Sequence, residues 1–555
     1  MTTDPITLRD IEGAARLAGV GLTAAEAALM LDNLDGQIAL ARARRAHPLG
    51  NAAPMASRFD PRPPGFVMPA GPGRLDLPSG PVPALPDTAA DIAFAPLAHL
   101  SHWVHHGQIS ARGLTEIYLD RIARHGAGLA CFAKVTADLA LAQADAADAA
   151  LAAGRWLGPL HGMPYGLKDL FDTAGIETAW GAEPFVGRVP ETDATIVARL
   201  RDAGAILLGK TSLGALAYND IWYGGRTRNP WNREEGSSGS SAGSASATAA
   251  GLCAFAIGTE TLGSITSPCQ RCGTTGLRPT FGRVPRGGAM ALCWSMDKVG
   301  PICRSVTDTA MVLAALNGAD PGDRDSIEAP FSCDLRAGID GLRVGYLPAA
   351  FADPATTATD HATLDAVRAL GLVPIPLELP DLPYGSLMSI LYAEAAAAFE
   401  ELTLDGRDDT LTWQGADAWP NLFRKARFIS AVDHVQADRL RWQVMLALDR
   451  LFQTVDVLVG PFNAGPMLVA SNFTGHPCLH MRTGFADLPT RAPGSLGAGK
   501  VRMPDAVAGG ALHRVPQGIS IWSGLFNEGA ALRLGLALER QLGVVDLRPD
   551  GLDAR

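Results

Sequence analysis

Apolar residues recur at helical spacing through most of the chain, and short apolar runs separate the helical segments. Residues 8–45 follow this spacing, with Thr23 as the N-cap of a second helix. The same spacing is found over 97–106, 114–124, 137–153, 193–203, 306–316, 361–370, 386–404 and 419–455. Apolar runs predict strands over 205–208, 252–257, 342–347, 373–377 and 457–460. This alternation predicts an α/β/α sandwich around a mixed sheet.

Three departures from this alternation suggest how the chain is divided. Residues 1–45 form a helical extension that could serve packing or oligomerisation, and a homodimer is kept as an open possibility. Residues 46–88 are rich in proline and lack periodicity, which predicts a surface linker. Residues 89–555 then form the main body, in which 484–518 is predicted to be a long Gly/Pro-rich loop before a closing strand, loop and helix over 519–542.

Composition narrows the function classes. With 555 residues, 47% hydrophobic and 19% charged, the chain is of globular type, and its net charge of −10 argues against a nucleic-acid partner. No secretory signal is visible at the start, and the uncharged run 236–259 is too rich in Ser and Gly for a membrane helix, so a cytoplasmic protein is expected. Eight cysteines form no disulfide framework, and the pair Cys269/Cys272 lacks partners with zinc spacing, so no metal is expected.

Residues 235–280 combine dense serine and glycine with almost no charge. A flexible linker would not continue directly into an alanine-rich helical segment and an apolar strand, which argues against a linker. The pattern GxSxG at 239–243 makes Ser241 a nominal nucleophile of the Ser-His-Asp type. That arrangement requires a hydrophobic strand before the serine, and the polar residues 232–236 do not supply one. The pattern GxxxxGKT at 204–211 is discounted as a phosphate loop because its middle residues form the predicted strand.

Separated motifs in and before this stretch resemble those of the amidase signature family. They are HGMPYGLKD at 161–169, SGSSAG at 238–243, GTETLGSI at 258–265 and CGTTGLRPT at 272–280. The resemblance covers roughly residues 90–480 and continues more weakly to about 540. It implies an α/β fold, with an α/β/α sandwich around a large mixed, mostly parallel sheet, and an enzyme that hydrolyses a carboxylic amide without a cofactor.

The resemblance also implies site residues. Carried over by position, Ser264 is the acyl-forming nucleophile, Ser240 is a bridging serine that relatives hold through a cis peptide, and Lys168 is the base. The oxyanion hole is implied at the backbone N–H groups of Thr261, Leu262 and Gly263.

A lysine can act as a base near neutral pH only if its surroundings lower its pKa. The residues 164–167 and the uncharged serine stretch provide such surroundings for Lys168. Asp169 could oppose the shift, but neighbouring side chains in a strand point to opposite faces.

Three positions depart from the family pattern. Leu262 stands where glycine is usual and would be strained if the turn needed a positive φ there. Glu260 replaces an aspartate, and Thr266 replaces an arginine, for which Arg271 or Arg278 could substitute.

The substrate is expected to be a small amide, anilide, ester or carbamate, with no nucleic-acid or membrane partner. Tyr218, Trp222, Ser241 and Trp294 are candidates to contact it, and the resemblance places a helical cover over about 385–455. Two alternatives stay open: a glutaminase-type amidotransferase subunit, and a catalytically silent scaffold with an amidase fold. The helical extension and the changed turn at Leu262 favour a free-standing enzyme.

Overall fold

The computed structural model describes residues 6–31, 34–78, 80–462, 465–491 and 510–552. Its strands are β1 Leu75–Asp76, β2 Phe132–Val135, β3 Pro164–Lys168, β4 Ile206–Thr211, β5 Ile221–Trp222, β6 Gly225–Arg226, β7 Arg228–Asn229, β8 Asn232–Gly236, β9 Phe255–Glu260, β10 Thr275–Arg278, β11 Lys298–Cys303, β12 Cys333–Asp334, β13 Val344–Tyr346, β14 Ile375–Pro376, β15 Val457–Pro461, β16 Cys478–Pro489 and β17 Leu512–Ser523.

Within these described residues, eleven strands form one mixed sheet in the order β14-β13-β15-β17-β16-β10-β11-β9-β3-β4-β2. Parallel pairings join β14, β13 and β15 at one end and β9, β3 and β4 at the other. The pairings between these two groups are antiparallel, as is the edge pair β2/β4, so the sheet has a larger antiparallel share than the sequence suggested.

Helices cover the sheet, as expected for an α/β fold. Their bounds are α1 Leu8–Ala18, α2 Ala24–Leu31, α3 Leu34–Arg45, α4 Ala89–Phe94, α5 Leu97–His105, α6 Ala111–Leu129, α7 Ala137–Ala152, α8 Thr195–Asp202, α9 Ala242–Ala249, α10 Thr266–Cys272, α11 Val306–Leu316, α12 Pro348–Phe351, α13 Ala358–Ala369, α14 Met388–Ala398, α15 Glu400–Asp405, α16 Trp419–Ala426, α17 Ala431–Thr454, α18 Met467–Phe473 and α19 Glu528–Leu542. The small-residue helix α9 is buried along its whole length because alanine, serine and glycine let the backbone pack closely against β9 and β3.

The predicted loop over 484–518 is wrong at both ends. Residues 484–489 belong to β16 and 512–518 to β17, while 492–509 lie outside the described residues. Beyond the contacts of β16 with β10 and of β17 with β15, the two strands pair only with each other in the part of the chain that the structure describes. A two-stranded ribbon with open edges tolerates Pro489 and Pro516, which is why a proline-containing sequence can form strands here.

Most other predicted elements are confirmed to within a few residues. The helix predicted over 419–455 is divided into α16 and α17. The polar segment 232–236, which lacks strand character in sequence, forms β8 in a short hairpin with β7. All eight cysteines are free and buried.

The contacts of the N-terminal part with the main body include side-chain interactions of Arg44 and Asn51. Arg44 forms an ion pair with Glu400. The Asn51 side chain donates to Ala291 O at 2.8 Å and to Ala398 O at 3.3 Å. No helix among the described residues is long and apolar enough to cross a membrane. The division of the chain near residues 45 and 88 stays a prediction.

Candidate active site

Lys168 is the last residue of β3, and its side chain is completely buried. Its Nζ lies within hydrogen-bond distance of Ser240 Oγ (2.8 Å), Thr259 Oγ1 (2.8 Å) and Ser241 Oγ (3.0 Å). The parallel pairing of β3 with β9 brings Lys168 to Thr259, because both strands end at the same edge of the sheet. The lysine therefore faces hydroxyl groups rather than a carboxylate.

Burial lowers the pKa of Lys168 well below its ordinary value, and the charges of Asp297 and Glu260 oppose this only in part. Asp169 does not oppose it. Its carboxylate lies 3.2 Å from Nζ of Lys210, a second buried lysine. The structure thus agrees with the expected orientation of Lys168 and Asp169 towards different neighbours.

The two serines of the loop before α9 have different surroundings. The Gly239–Ser240 peptide bond is cis. A Cβ at position 239 would lie 1.8 Å from Asn219 O, so this close approach of two backbones requires glycine. Ser241 Oγ donates to Thr259 O at 3.1 Å and accepts from Thr259 N at 3.1 Å. The proton of Ser241 is therefore already used, whereas the Ser240 hydroxyl lies 2.8 Å from Lys168 Nζ and donates to no other acceptor within the described residues.

Ser264 lies at the end of the turn between β9 and α10, and about 8% of its surface is exposed. Its carbonyl accepts a hydrogen bond from Ser241 N at 3.1 Å, which ties the turn to the serine loop. Among the residues that the structure describes, the backbone N–H groups of Thr261, Leu262 and Gly263 make no hydrogen bond. Donors left unused in a buried turn beside a serine are available to a ligand oxygen.

The left-handed position in this turn is Gly263, with φ of 84°. Leu262 is not among the described residues with positive φ, so the strain considered at this position does not arise. Its side chain is buried in an apolar cluster with Met467 and Leu391.

The side chain of Glu260 holds the end of the turn, after Ser264. Its carboxylate accepts from the backbone N–H groups of Ile265 and Thr266, both at 2.9 Å, and from Arg278 Nη1 at 2.6 Å. Thr266 Oγ1 adds a further bond to this carboxylate at 3.1 Å. Burial alone would raise the pKa of Glu260, but Arg278 and these donors lower it to about 2. Of the two arginines considered from the sequence, Arg278 is the one that pairs with Glu260.

Asp297 holds the turn from the other side. It accepts a hydrogen bond from Thr261 Oγ1 at 2.5 Å, and its second oxygen accepts from the N–H groups of Leu292 and Cys293 at 2.8 and 3.0 Å. The turn is therefore fixed at both ends by buried carboxylates, one on each side of the unused N–H groups.

Two cavities meet at Ser264. One is a narrow, apolar cavity whose walls include Leu292, Leu391 and Trp419. The other, called the polar cavity below, has a volume of about 370 Å³, and its walls combine apolar side chains with polar ones that include Gln517 and Arg271.

The four candidate substrate contacts lie in different places. Tyr218 lines both cavities and stacks on Trp413 with ring centroids 5.1 Å apart. Trp222 lies in a neighbouring aromatic pocket, and Trp294 lines a third cavity of about 520 Å³ that Thr259 and Thr261 also reach. Ser241 is fully buried. Of the four, Tyr218 is the one that the described structure brings to the cavities beside Ser264.

Sequence reasoning missed several groups here. Thr259, a hydrogen-bond partner of Lys168, belongs to the GTETLGSI motif and could have been recognised from strand pairing. Arg491 follows β16 and Gln517 lies within β17, in the segment that was predicted as a loop, so no local signal placed them near Ser264. No cluster of His, Cys, Asp or Glu able to hold a metal occurs within the described ranges.

Comparisons with known proteins agree with these observations. A family model described as Amidase matches residues 113–482. The chain is 33% identical over 467 residues to a glutamyl-tRNA(Gln) amidotransferase subunit from Roseiflexus castenholzii, covering 78% of this chain and 93% of that protein. A peptide amidase from Stenotrophomonas maltophilia is similar in structure, with a TM-score of 0.68, 28% identity, and coverage of 83% of this chain and 99% of that one. A protein described in work on a vestigial complex and the origins of an s-triazine catabolic enzyme gives a TM-score of 0.71 at 27% identity, covering 82% and 100%.

Proposed function

The chain belongs to the amidase signature family, and we propose that it hydrolyses a carboxylic amide through an acyl-enzyme formed on Ser264. The observation that carries this proposal is the environment of Lys168: a fully buried amine with a lowered pKa, bonded to Ser240 and paired with no carboxylate of the described residues. A buried lysine kept neutral can accept a proton, which a surface lysine cannot do near neutral pH.

In the proposed mechanism, Ser264 Oγ attacks the amide carbon while its proton passes to Ser240 Oγ. Ser240 gives its own proton to Lys168 Nζ, which becomes an ammonium held by three hydroxyl groups. Ser241 cannot take the place of Ser240, because its proton is donated to Thr259 O. When the tetrahedral intermediate collapses, the C–N bond breaks and the amine leaves with a proton returned along the same path. Water then repeats the sequence on the acyl-enzyme and releases the acid.

The negative charge of the tetrahedral intermediate would lie on the former carbonyl oxygen. We assign its stabilisation to the N–H groups of Thr261, Leu262 and Gly263, which the described protein leaves without acceptors. Donors of this kind are each worth about 100- to 1000-fold in rate. Glu260 supports them indirectly, because it fixes the backbone immediately after Ser264.

A fluorophosphonate probe with peptide mapping tests the proposal directly. We expect one adduct on Ser264, absent from Ser264→Ala and slowed at least 100-fold in Lys168→Ala. Ser241→Ala is the matched control: it removes a neighbouring serine hydroxyl but should retain labelling at Ser264. A label on Ser241 would contradict the mechanism. No label on any serine, together with no turnover of amides, would favour the catalytically silent scaffold.

A second candidate is a glutaminase-type amidotransferase subunit, which the names of the relatives at 32–33% identity favour. The N-terminal segment around Asn51 packs onto residues 291 and 398 beside the helical cover, and we take this as support for a free-standing enzyme in which residues 89–555 form the catalytic part. Ammonia release from glutamine by the purified chain, set against release from benzamide and acetanilide, separates the two candidates. Activity confined to glutamine would favour the amidotransferase role.

A further inference from the structure

The polar cavity beside Ser264 contains an arginine whose donors are unused. Arg271 lies on α10, with about 14% of its side chain exposed. Within the part of the chain that the structure describes, its guanidinium makes no hydrogen bond, and its one ion-pair contact is Glu235 Oε2 at 3.5 Å. An arginine carries five N–H donors that remain charged near neutral pH. Such a buried cation needs acceptors.

Glu235 cannot supply them, because its carboxylate is already occupied. Arg491 approaches it with Nη2 at 2.6 Å and Nε at 3.1 Å, Arg491 N donates at 2.9 Å, and Asn229 Nδ2 donates at 2.7 Å. The nearby Arg226 and Asp220 pair with each other at 3.2 Å. Among the described residues, these five side chains carry three positive charges and two negative charges, so one positive charge of this group is unbalanced.

A neutral donor faces the same space. Gln517 is about 95% buried and lines the cavity, yet its Nε2 has no hydrogen-bond partner among the described residues. A buried polar group without a partner costs free energy, and Arg271 shares its one counter-charge, Glu235, with Arg491. Both groups would be satisfied by one anion with two oxygens, and a guanidinium matches a carboxylate in geometry.

The position of Arg271 relates this anion to the reaction. Helix α10 begins two residues after Ser264, and side chains on a helix lean towards its N-terminus, so the Arg271 side chain leans back towards the nucleophile. Both residues line the same cavity, and Leu262 and Ser264 line the apolar cavity as well.

We infer that the substrate is an amide bearing a carboxylate, which Arg271 and Gln517 bind in the polar cavity while the apolar cavity holds the uncharged end. This inference rests on the proposed function, because it takes Ser264 as the reacting group.

Two matched pairs of compounds test it. Succinic acid mono-4-nitroanilide and butyric acid 4-nitroanilide differ by a carboxylate on the acyl side, and N-benzoylglycine and N-ethylbenzamide differ by a carboxylate on the amine side. In at least one pair we expect kcat/KM for the acid to exceed that for the neutral compound by about 10- to 100-fold, the effect of charge-assisted bonds. Arg271→Met should reduce this ratio to near one.

Two further variants keep the test decisive. Arg271→Lys retains the charge but loses the paired donors, so it should keep an intermediate preference even if the methionine variant folds poorly. Arg155→Met replaces an exposed arginine outside the cavity and should leave the preference unchanged. Equal kcat/KM values within both pairs for the wild type, or an undiminished preference in Arg271→Met, would overturn the inference.

Binding separates this inference from the proposed function. Titration calorimetry of the four compounds with Ser264→Ala should show tighter binding of an acid that is lost when Arg271→Met is added. Labelling of Ser264 by the fluorophosphonate without any preference for acids would overturn the carboxylate site and leave the amidase mechanism standing. Tighter binding of an acid to Ser264→Ala without labelling of the wild type would support the carboxylate site and refute the mechanism.

Discussion

Replacing Lys168 with methionine separates the effect of this residue on catalysis from its effect on stability. The substitution keeps the length of the side chain and removes the amine that we propose as the base. Loss of a group that acts as one unit with its nucleophile costs about 10⁴-fold or more in rate, which corresponds to about 5.5 kcal/mol of transition-state stabilisation. We therefore expect kcat/KM to fall by at least that factor.

The same substitution should increase the free energy of unfolding at low pH. The variant loses the three hydrogen bonds of Lys168, each of which contributes about 1 kcal/mol to stability. In return, it no longer has to bury an amine. Because the folded-state pKa of Lys168 lies below the ordinary 10.5, the unfolded chain binds its proton more tightly. Wild-type stability therefore rises with pH between the folded-state pKa and 10.5. The difference in the free energy of unfolding between Lys168→Met and wild type should favour the variant most at pH 6. This difference should shrink as the pH rises towards 10.

Lys210→Met is the matched control. Lys210 is also buried and lies on the neighbouring strand β4, and burial is the main cause of its lowered pKa. Unlike Lys168, it pairs with a carboxylate, because its Nζ lies 3.2 Å from Asp169 Oδ1. Removing it leaves a buried carboxylate without its partner, which typically costs about 3–5 kcal/mol. Urea unfolding at pH 6, 8 and 10 and initial rates on a common anilide would measure both effects. A Lys168→Met enzyme with more than about one hundredth of wild-type kcat/KM would refute the role of the lysine as base.

Three further changes have definite expected outcomes. Glu260→Gln should lower the free energy of unfolding by about 3–5 kcal/mol, because Arg278 loses a buried partner. The pKa of Glu260 is about 2 in the folded state and 4.5 in the unfolded state, which corresponds to roughly 3 kcal/mol of stability. In the wild type this contribution is present above pH 4.5 and is lost as the pH falls towards 2. The stability of Glu260→Gln should not show this loss in acid. Burial raises the pKa of Glu539 to about 8, so wild-type stability should fall as pH rises from 4.5 to 8, and Glu539→Gln should unfold at a higher temperature than wild type at pH 9. Leu262→Gly should lower stability by about 2–4 kcal/mol and admit bulkier acyl groups, as a substrate series would show; an unchanged specificity would contradict the placement of Leu262 in the cavity wall.

The sequence was most informative where a motif fixes a backbone shape. The loop with Gly239 and the turn with Gly263 both need glycine at one point, so their motifs marked the two segments, although the sequence pointed to position 262 and not 263 as the left-handed residue. Which elements meet depends on strand order, which periodicity does not encode. The sequence places Lys168 and Thr259 ninety-one residues apart, and only the pairing of β3 with β9 brings them together.

The larger failure lies at β16 and β17. Glycine and proline are ordinarily read as loop residues, and Gly484, Pro489, Pro516 and Gly518 supported that prediction. In the fold these residues lie in a ribbon whose outer edges need no further pairing, so a missing N–H donor costs little. Because Gln517 comes from this ribbon, the polar side of the cavity could not be predicted from local pattern.

The departures at Leu262, Glu260 and Thr266 are physically coherent when they are considered together. A glutamate is one methylene longer than an aspartate, and at position 260 this length lets one carboxylate accept from two backbone N–H groups and still reach Arg278. Arg278 supplies the positive charge that an arginine at position 266 would otherwise bring, so Thr266 is free to add its own hydrogen bond to Glu260. Glu260 thus holds the turn through hydrogen bonds to its backbone. Because the left-handed residue of the turn is Gly263, the Leu262 side chain can pack into the apolar cluster without backbone strain. These changes preserve the unused N–H groups beside Ser264 while narrowing the space next to it, which is why we expect them to alter the choice of substrate rather than the chemistry.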